Sequence, residues 1–384
     1  MIGLVALAAS VALALAGPKS QRHGDQGRVH FLRIASSEFD PFTDDRSPKY
    51  GAFLRRHIWR MVAYSPYFDS KTRWYPNAWV YDDAYAIGRR SGLAARHPEW
   101  ILRDGAGNPL FIPYGCANGT CPQYAADISD AAFRGAWIAE ARAKVRRGYR
   151  GLFVDDVNME FRVADAREHH VAPVDRSTGR PMTYDAWRGY MARFMEEIRA
   201  ALPRTEIAHN AIWFAAPPAR AADPYVRREI KSADYIALER GVNDAGLTGG
   251  RGDFSVNALL AYIDAVHSLH RRVSLEDEDD GRRAAEYELA AYLLISDGRD
   301  LVSVPGMTPL HWWTGLDVDL GHAAGARYRW HDLLRRDFNG GMALLNEPGA
   351  ASQTVTLPRA MRNLDGEPVT TITIPAASGA VLRR

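Results

Sequence analysis

The sequence predicts a (β/α)8 barrel followed by a small antiparallel β domain. From residue 29 onward, short β-type runs alternate with longer helical patterns, which is the arrangement of parallel βα units. Eight such runs fall within about 280 residues, close to the usual size of a (β/α)8 barrel. After Phe338 the runs become short and are separated by Gly, Pro and Asn, which is typical of antiparallel sheets.

The predicted strands share short apolar runs that contain β-branched or aromatic residues. They are Val29–Ser36, Trp59–Tyr67, Gln123–Ile128, Gly151–Val157, Glu206–Trp213, Asp234–Gly241, Arg272–Glu278 and Leu301–Pro305. Between them, Asp130–Arg147, Tyr184–Leu202 and Ser255–Leu269 have apolar residues at helical spacing, and Asp130 is placed to cap the first of these helices. An open doubly wound sheet is the alternative, but no glycine-rich nucleotide loop follows the first strand.

The predicted barrel covers residues 29–337 and contains a long loop insertion at about 68–122. This insertion has little periodicity, and ordered loops of such length are usually functional. It holds the only two cysteines, Cys116 and Cys121, which would close a small loop in an oxidising compartment. Residues 338–384 form the small β domain, which is too short to hold its own core and should pack against the barrel.

The amino terminus carries one apolar run, Ile2–Ala16. A membrane span needs about 20 apolar residues, so this run is short for one. Ala14-Leu15-Ala16 provides a small-x-small cleavage site. We therefore predict a signal peptide at 1–16, export to the periplasm or the medium, and no stable membrane insertion after cleavage. A buried amino-terminal helix is the alternative.

Composition excludes several classes of function. Forty-eight Lys and Arg against 46 Asp and Glu give a net charge of +2, which does not fit a strongly basic nucleic-acid-binding domain. The sequence contains neither HExxH nor CxxC, and no Gly-x-Ser-x-Gly elbow. We therefore predict neither a cofactor nor a metal, and no nucleic-acid partner.

Acidic residues end several predicted strands, where a barrel places its reacting groups. In Gly151-Leu-Phe-Val-Asp155-Asp156, strand alternation puts Leu152, Val154 and Asp156 on the face toward the helices. Asp155 then points into the barrel mouth, and Asp156 caps a helix or binds the adjacent loop.

Alternation also predicts that Glu239 of the sixth strand and Glu276 and Glu278 of the seventh point inward, and Asp127 and Asn210 end the third and fifth strands. For any single one of these acids, a structural role as a helix cap or as the partner of an arginine explains its position as well as a catalytic role does. Their gathering at one rim favours a reactive site, because buried like charges are costly.

Paired carboxylates are the groups that glycosidic bond cleavage requires. One protonates the leaving oxygen, and the other attacks the anomeric carbon or activates water. Asp155 is our candidate for nucleophile or base and Glu239 for general acid, with Glu276 as the rival acid.

Aromatic and polar groups near the predicted rim favour a sugar ligand. Apolar sugar faces stack on aromatic rings, and a few polar groups fix the orientation of a ligand. The candidate substrate-binding residues are Tyr64, Trp213, Trp312, Trp313, Glu38, Asp127, Asp156 and Asn210. Core packing is the alternative explanation for each tryptophan.

Four segments resemble a bacterial glycosyl-hydrolase-like barrel family, family 15, which is related to polygalactosaminidases. They are HPEWILRDGAGNPLF (97–111), ADISDAAFRGAWIAEA (126–141), GYRGLFVDDVN (148–158) and ADYIALERG (233–241), and FNGGMALLNEPG is similar to the start of the small β domain that closes such barrels. The resemblance implies that the Asp of the G-[FL]-[FL]-[LV]-D strand end and the Glu of a later strand are the catalytic pair. These residues match Asp155 and Glu239.

The sequence thus predicts a secreted glycoside hydrolase that acts on a poly- or oligosaccharide through two carboxylates. A non-catalytic barrel that binds carbohydrate at the same mouth is the alternative. A metal-dependent barrel hydrolase is disfavoured, because histidines are absent from the strand ends except around His209.

Overall fold

Eight parallel strands close into a barrel in the computed structural model, which describes residues 26–37, 39–44, 48–117, 119–211, 222–277, 281–304, 306 and 308–384. The barrel strands are β1 (Phe31–Ile34), β2 (Ile58–Ala63), β3 (Ala78–Asp83), β4 (Gly151–Asp155), β5 (Glu206–Asn210), β6 (Tyr235–Glu239), β7 (Arg272–Glu276) and β8 (Leu301–Ser303). Each strand pairs with its neighbours in chain order, and β1 pairs with β8. This closure confirms the predicted (β/α)8 barrel.

The helices of the described residues lie between these strands. They are α1 (Asp40–Asp44), α2 (Pro48–His57), α3 (Gly92–Arg96), α4 (Ala131–Val145), α5 (Tyr184–Ala201), α6 (Pro224–Ser232), α7 (Val256–Ser268) and α8 (Arg282–Ile295). Asp130 caps α4 as predicted, since its carboxylate accepts from the backbone N–H groups of Ala132 and Phe133 at 2.7 and 3.2 Å. Thr183 and Ser255 cap α5 and α7 in the same way.

The predicted third strand at 123–128 is wrong. Gln123–Ala125 pairs antiparallel with Ala86–Gly88 outside the barrel, and the third barrel strand is Ala78–Asp83. The run Ala78-Trp-Val-Tyr-Asp-Asp83 alternates as a barrel strand should, but it lies inside the segment interpreted as an insertion. The long irregular connection therefore runs between β3 and α4.

Strand alternation divides the apolar residues into an inner and an outer set. Phe153, Ala208 and Tyr235 belong to the cluster that fills the barrel. Leu152 and Val154 belong to the larger cluster between the strands and the helices. Residues two positions after an inner one share its face, so Asp155, which follows Phe153, points into the barrel mouth.

Carboxy-terminal to the barrel, an antiparallel sheet has the order β9-β10-β11-β14-β12-β13. Its strands are β9 (Tyr328–Trp330), β10 (Leu333–Phe338), β11 (Gly341–Asn346), β12 (Gln353–Arg362), β13 (Pro368–Ile374) and β14 (Ser378–Arg383). The sheet packs on α8, where Arg283 donates to the Ser378 hydroxyl at 3.0 Å and the Val381 N–H donates to Glu286 at 3.0 Å. Its first strand begins at Tyr328, ten residues before the expected boundary at 338.

Cys116 and Cys121 form a disulfide within the β3–α4 connection. No helix in the described part of the chain is long and apolar enough to span a membrane. The predicted signal peptide at 1–16 lies outside the described residues.

Candidate active site

The carboxyl ends of five consecutive strands bring five polar side chains to one mouth of the barrel. Asp83 ends β3, Asp155 ends β4, Asn210 ends β5, Glu239 ends β6 and Glu276 ends β7. Asp83 is in register with Asp155, and Glu239 is in register with Glu276. Paired positions on neighbouring strands lie about 4.8 Å apart, so the mouth concentrates negative charge in a small space.

Asp155 accepts three hydrogen bonds from fixed donors. The Tyr81 hydroxyl donates to Oδ2 at 2.5 Å, and Asn210 Nδ2 and the backbone N–H of Asp156 donate to Oδ1, each at 2.8 Å. Burial, followed by the charge of Asp155, raises the pKa of Tyr81 above its ordinary range, so the phenol keeps its proton and remains a donor. Such a donor set orients the carboxylate and stabilises its negative charge.

Asn210 links Asp155 to Glu239, because its Nδ2 also donates to Glu239 Oε1 at 2.6 Å. Since the two hydrogen bonds measure 2.8 and 2.6 Å, the accepting oxygens are separated by at most the sum of these lengths, about 5.4 Å. An amide nitrogen has two hydrogens and can satisfy both acceptors. Asn210 is buried, whereas Glu239 is exposed at the mouth, where a substrate can reach it.

Asp156 has a left-handed backbone, with φ of 56°, and its Oδ1 accepts from Asn158 Nδ2 at 2.8 Å. Burial, together with the charges of Asp155 and Glu239, raises the pKa of Asp156 to about 6. Burial and the charge of Asp156 also raise the pKa of Asp83 well above its ordinary value. The mouth therefore contains two carboxyl groups that hold their protons to higher pH than an ordinary aspartate does.

A tight turn follows Glu239. Arg240 and Gly241 both have positive φ angles, of 64° and 46°. The buried Glu288 of α8 accepts from the Val242 N–H at 3.1 Å and from Asn243 Nδ2 at 3.3 Å. Glu288 thus fixes the backbone immediately after Glu239 and sets the direction in which that strand end leaves the barrel.

Tyr81 and Asp83 are site residues that the sequence interpretation missed. Both belong to β3, which lies inside the predicted loop insertion at about 68–122. A signal was present, since the strand ends in Asp82-Asp83 just as β4 ends in Asp155-Asp156. Reading both runs as acid-tipped strands would have identified the third barrel strand and its inward tyrosine.

Tyr64 lies with the carboxylates. It directly follows β2, its ring is 4.9 Å from that of Tyr81, and burial and the charge of Asp155 raise its pKa. Glu276 lies beside Glu239 and is buried.

Other predicted residues lie elsewhere. Asp127 belongs to the β3–α4 connection, where it accepts from Ser129 and pairs with Arg176 at 2.9 Å. Trp312 packs between β1 and α2, with ring distances of 5.4 Å to Phe31 and 5.3 Å to Phe53.

Trp313 donates to Asp365 at 3.0 Å and packs under Arg282, so its polar atom is bound to the carboxy-terminal sheet region. Glu38, Trp213 and Glu278 lie outside the described residues. Within the described ranges, no group of three or more His, Cys, Asp or Glu side chains has an arrangement suited to a metal ion.

Several solved structures are similar to this chain at a low level. The glycoside hydrolase domain of PelA from Pseudomonas aeruginosa is 15% identical with a TM-score of 0.43, over 72% of this chain and 94% of that domain. A variant of the GH36 α-galactosidase AgaA from Geobacillus stearothermophilus is 11% identical with a TM-score of 0.49, over 93% and 56%. The maltogenic α-amylase AmyB from Thermotoga neapolitana is 13% identical with a TM-score of 0.49, over 92% and 98%.

At the level of sequence, no curated protein matches the chain. The profile of a family described as hypothetical glycosyl hydrolase family 15 matches residues 65–342. This match covers well over half of the chain and includes every barrel strand from β3 to β8.

Proposed function

This chain belongs to hypothetical glycosyl hydrolase family 15, and from that premise we propose that it is a secreted glycoside hydrolase in which Asp155 and Glu239 form the catalytic pair. The main support is the shared Asn210 amide, which holds the two carboxylates within reach of a single glycosidic bond. Two carboxylates flanking that bond are the machinery of most glycoside hydrolases.

Asp155 is proposed as the nucleophile. It is held by Tyr81, Asn210 and the Asp156 N–H, all of which donate to it. Donors on both of its oxygens orient the carboxylate for attack. In the first step an Asp155 oxygen bonds to the anomeric carbon as the bond to the leaving oxygen breaks.

Glu239 is proposed as the acid and base. Its Oε1 accepts from Asn210, so the proton for the leaving oxygen would be carried by Oε2. After the glycosyl–Asp155 ester has formed, Glu239 takes a proton from water. The resulting hydroxide attacks the anomeric carbon and releases Asp155. Glu276, on the neighbouring strand, remains the rival for this role.

Substrate binding is proposed for Tyr64, Asp156 and Asn210, which lie around the pair. Tyr64 offers a half-exposed ring beside Tyr81. Export is proposed with cleavage after Ala16, and the Cys116–Cys121 disulfide supports an oxidising destination. Amino-terminal sequencing of the protein recovered from the periplasm or medium tests this cleavage.

The test of function compares the wild type with Asp155→Asn and Glu239→Gln on a panel of α- and β-linked glucans, galactans, xylans and hexosamine polymers, with reducing ends as the readout. We expect Asp155→Asn to lower turnover by at least about 10³-fold, and Glu239→Gln by roughly 10²- to 10⁴-fold. Aryl glycosides with good leaving groups should restore the first step in Glu239→Gln, because they need no acid. Glu140→Gln, on the exposed side of α4, is the matched control.

Full activity in both variants would contradict the assignment. Binding of a polymer by the wild type without turnover would instead favour a non-catalytic carbohydrate-binding barrel. Thermal unfolding of each variant shows whether a loss of activity reflects chemistry rather than folding.

A further inference from the structure

We propose that Tyr114, in the loop that leads into the Cys116–Cys121 disulfide, is a stacking subsite for a sugar unit of the substrate beyond the one that is cleaved. The inference rests on the proposed function and adds an outer subsite to its binding site. It also makes the affinity for long substrates dependent on the disulfide.

Exposure singles out Tyr114. Its side chain is 76% exposed, the largest value among the large apolar side chains of the described residues. A lone exposed aromatic residue is ordinary on a protein surface. Tyr114 is different because of its position, since an exposed ring at a binding mouth offers an apolar face on which a sugar ring can stack.

The backbone fixes this loop to the mouth side of the barrel. Phe111 and Ala164 exchange two hydrogen bonds, each of 2.9 Å. Ala164 lies in the long segment between the acid-tipped end of β4 and α5, so it belongs to the loops above the catalytic carboxylates. Tyr114 follows Phe111 by three residues, and its N–H donates to the Ile112 carbonyl at 2.8 Å.

Two tyrosines, Tyr81 and Tyr64, lie beside Asp155. Tyr81 donates to Asp155, and the Tyr64 ring is 4.9 Å from Tyr81. The ionised form of Tyr114 also raises the pKa of Tyr64, after burial and Asp155, so the two phenols lie near each other. A chain bound at Asp155 that extends along these rings would reach Tyr114 one or more sugar units away.

The segment that carries Tyr114 is held before it by the Phe111–Ala164 hydrogen bonds and after it by the disulfide region. Cys121 is buried, and its carbonyl accepts from Arg89 Nη1 at 3.4 Å. Across the disulfide loop, Ala117 and Thr120 exchange backbone hydrogen bonds of 2.8 and 3.1 Å. The disulfide ties Cys116, two residues after Tyr114, to the buried Cys121 and so restricts the end of the segment that carries Tyr114. A preorganised segment loses less entropy when a ligand binds. Reduction should therefore weaken binding at Tyr114 without affecting Asp155.

The experiment compares KM and kcat for disaccharides and hexasaccharides of the panel polymer that the wild type cleaves. Tyr114→Ala should raise KM for the hexasaccharide roughly 3- to 10-fold, the size of one aromatic stacking contact, and leave kcat and the disaccharide KM unchanged. Tyr114→Phe should retain the wild-type KM, because the ring is kept. Tyr328→Ala removes an exposed tyrosine from the carboxy-terminal sheet and serves as the control.

The contribution of the disulfide to binding is tested with a reductant. The reductant acts on this disulfide alone, because Cys116 and Cys121 are the only cysteines in the sequence. A phosphine reductant should raise the hexasaccharide KM of the wild type, whereas the Cys116→Ser/Cys121→Ser double variant should show a raised KM that does not respond to reductant. An unchanged hexasaccharide KM in Tyr114→Ala overturns this inference alone. Absence of wild-type turnover and binding on the whole panel overturns the proposed function and, with it, the subsite.

Discussion

Asp155 and Glu239 accept hydrogen bonds from the same nitrogen, Nδ2 of Asn210, at 2.8 and 2.6 Å. The accepting oxygens are therefore no more than about 5.4 Å apart. Retaining glycoside hydrolases place their carboxyl groups about 5–5.5 Å apart, and inverting enzymes leave ~6.5–9.5 Å for a water molecule. The short separation of the Asp155 and Glu239 oxygens is the one typical of retaining enzymes.

We expect hydrolysis with retention of anomeric configuration. Proton NMR of the first product formed from a substrate of known anomeric configuration measures this before mutarotation. An initial product of the opposite configuration would show that water attacks directly, and it would exclude Asp155 as a nucleophile with Glu239 as its partner.

Asn210→Ala should lower kcat by roughly 10- to 100-fold, because one substitution removes a donor from both carboxylates and each such bond to a charged group contributes about 1.5–3 kcal/mol. Steady-state kinetics measures the loss. Asn108→Ala is the matched control, since Asn108 donates to Asp104 at 2.9 Å in an exposed turn. Equal effects of the two substitutions would contradict a role for Asn210 in the site.

Tyr81→Phe should also lower kcat roughly 10- to 100-fold, since it removes the hydroxyl that donates to Asp155 at 2.5 Å. Tyr75→Phe provides the comparison. The buried Tyr75 hydroxyl donates to the Ile58 carbonyl at 2.7 Å, so its loss should reduce the free energy of unfolding by about 1 kcal/mol and leave kcat unchanged. A Tyr81→Phe enzyme with wild-type kcat would show that Asp155 needs no such donor.

Gly241→Ala should destabilise the fold and impair catalysis together. An added methyl group would collide with the Glu288 carboxylate, and the φ of 46° is strained for any residue with a Cβ. Gly179→Ala separates the two causes, because Gly179 has a φ of 65° but no heavy atom near the added methyl group. We expect about 1 kcal/mol of destabilisation at Gly179 and roughly 2–4 kcal/mol at Gly241, measured by urea unfolding. Similar losses at both positions would indicate that contact with Glu288 is unimportant.

Asp156→Asn should change how stability depends on pH. The folded protein raises the pKa of Asp156 from 3.8 to about 6, so it binds this proton more tightly than the unfolded chain does. Ionisation of Asp156 therefore removes stability as pH rises from about 4 to 6. Asparagine has no proton to lose and tolerates the left-handed backbone at this position.

The difference in unfolding free energy between Asp156→Asn and the wild type should shift in favour of the variant by up to about 3 kcal/mol between pH 4 and pH 7.5. Urea unfolding at four pH values measures this shift. Asp253→Asn, in an exposed loop, is the control substitution. A constant difference across this range for Asp156→Asn would contradict the raised pKa.

Local pattern was sufficient for most of the barrel. The Gly151–Asp155 run and six others form barrel strands. Apolar, β-branched segments between helices bury both faces when they pair as the strands of a parallel sheet. The local pattern did not predict the strand Ala78–Asp83. This strand alternates in the ordinary way, but tryptophans, prolines and glycines in the flanking segments gave the whole region the appearance of a loop. Gln123–Ile128 had the same local appearance, and only pairing with Ala86–Gly88 excluded it from the barrel.

The sequence by itself determined the (β/α)8 class, the inward direction of Asp155 and the gathering of acids at one rim, because the period of a strand and the common rim of parallel strands are local and topological facts. Only the tertiary structure decided which groups touch. Tyr81, Asn210 and Glu239 meet around Asp155 through register and side-chain conformation across different strands. Trp312, which was expected at the sugar site, instead packs between β1 and α2. The sequence could not show this, because the position of a large ring depends on the space that neighbouring elements leave for it.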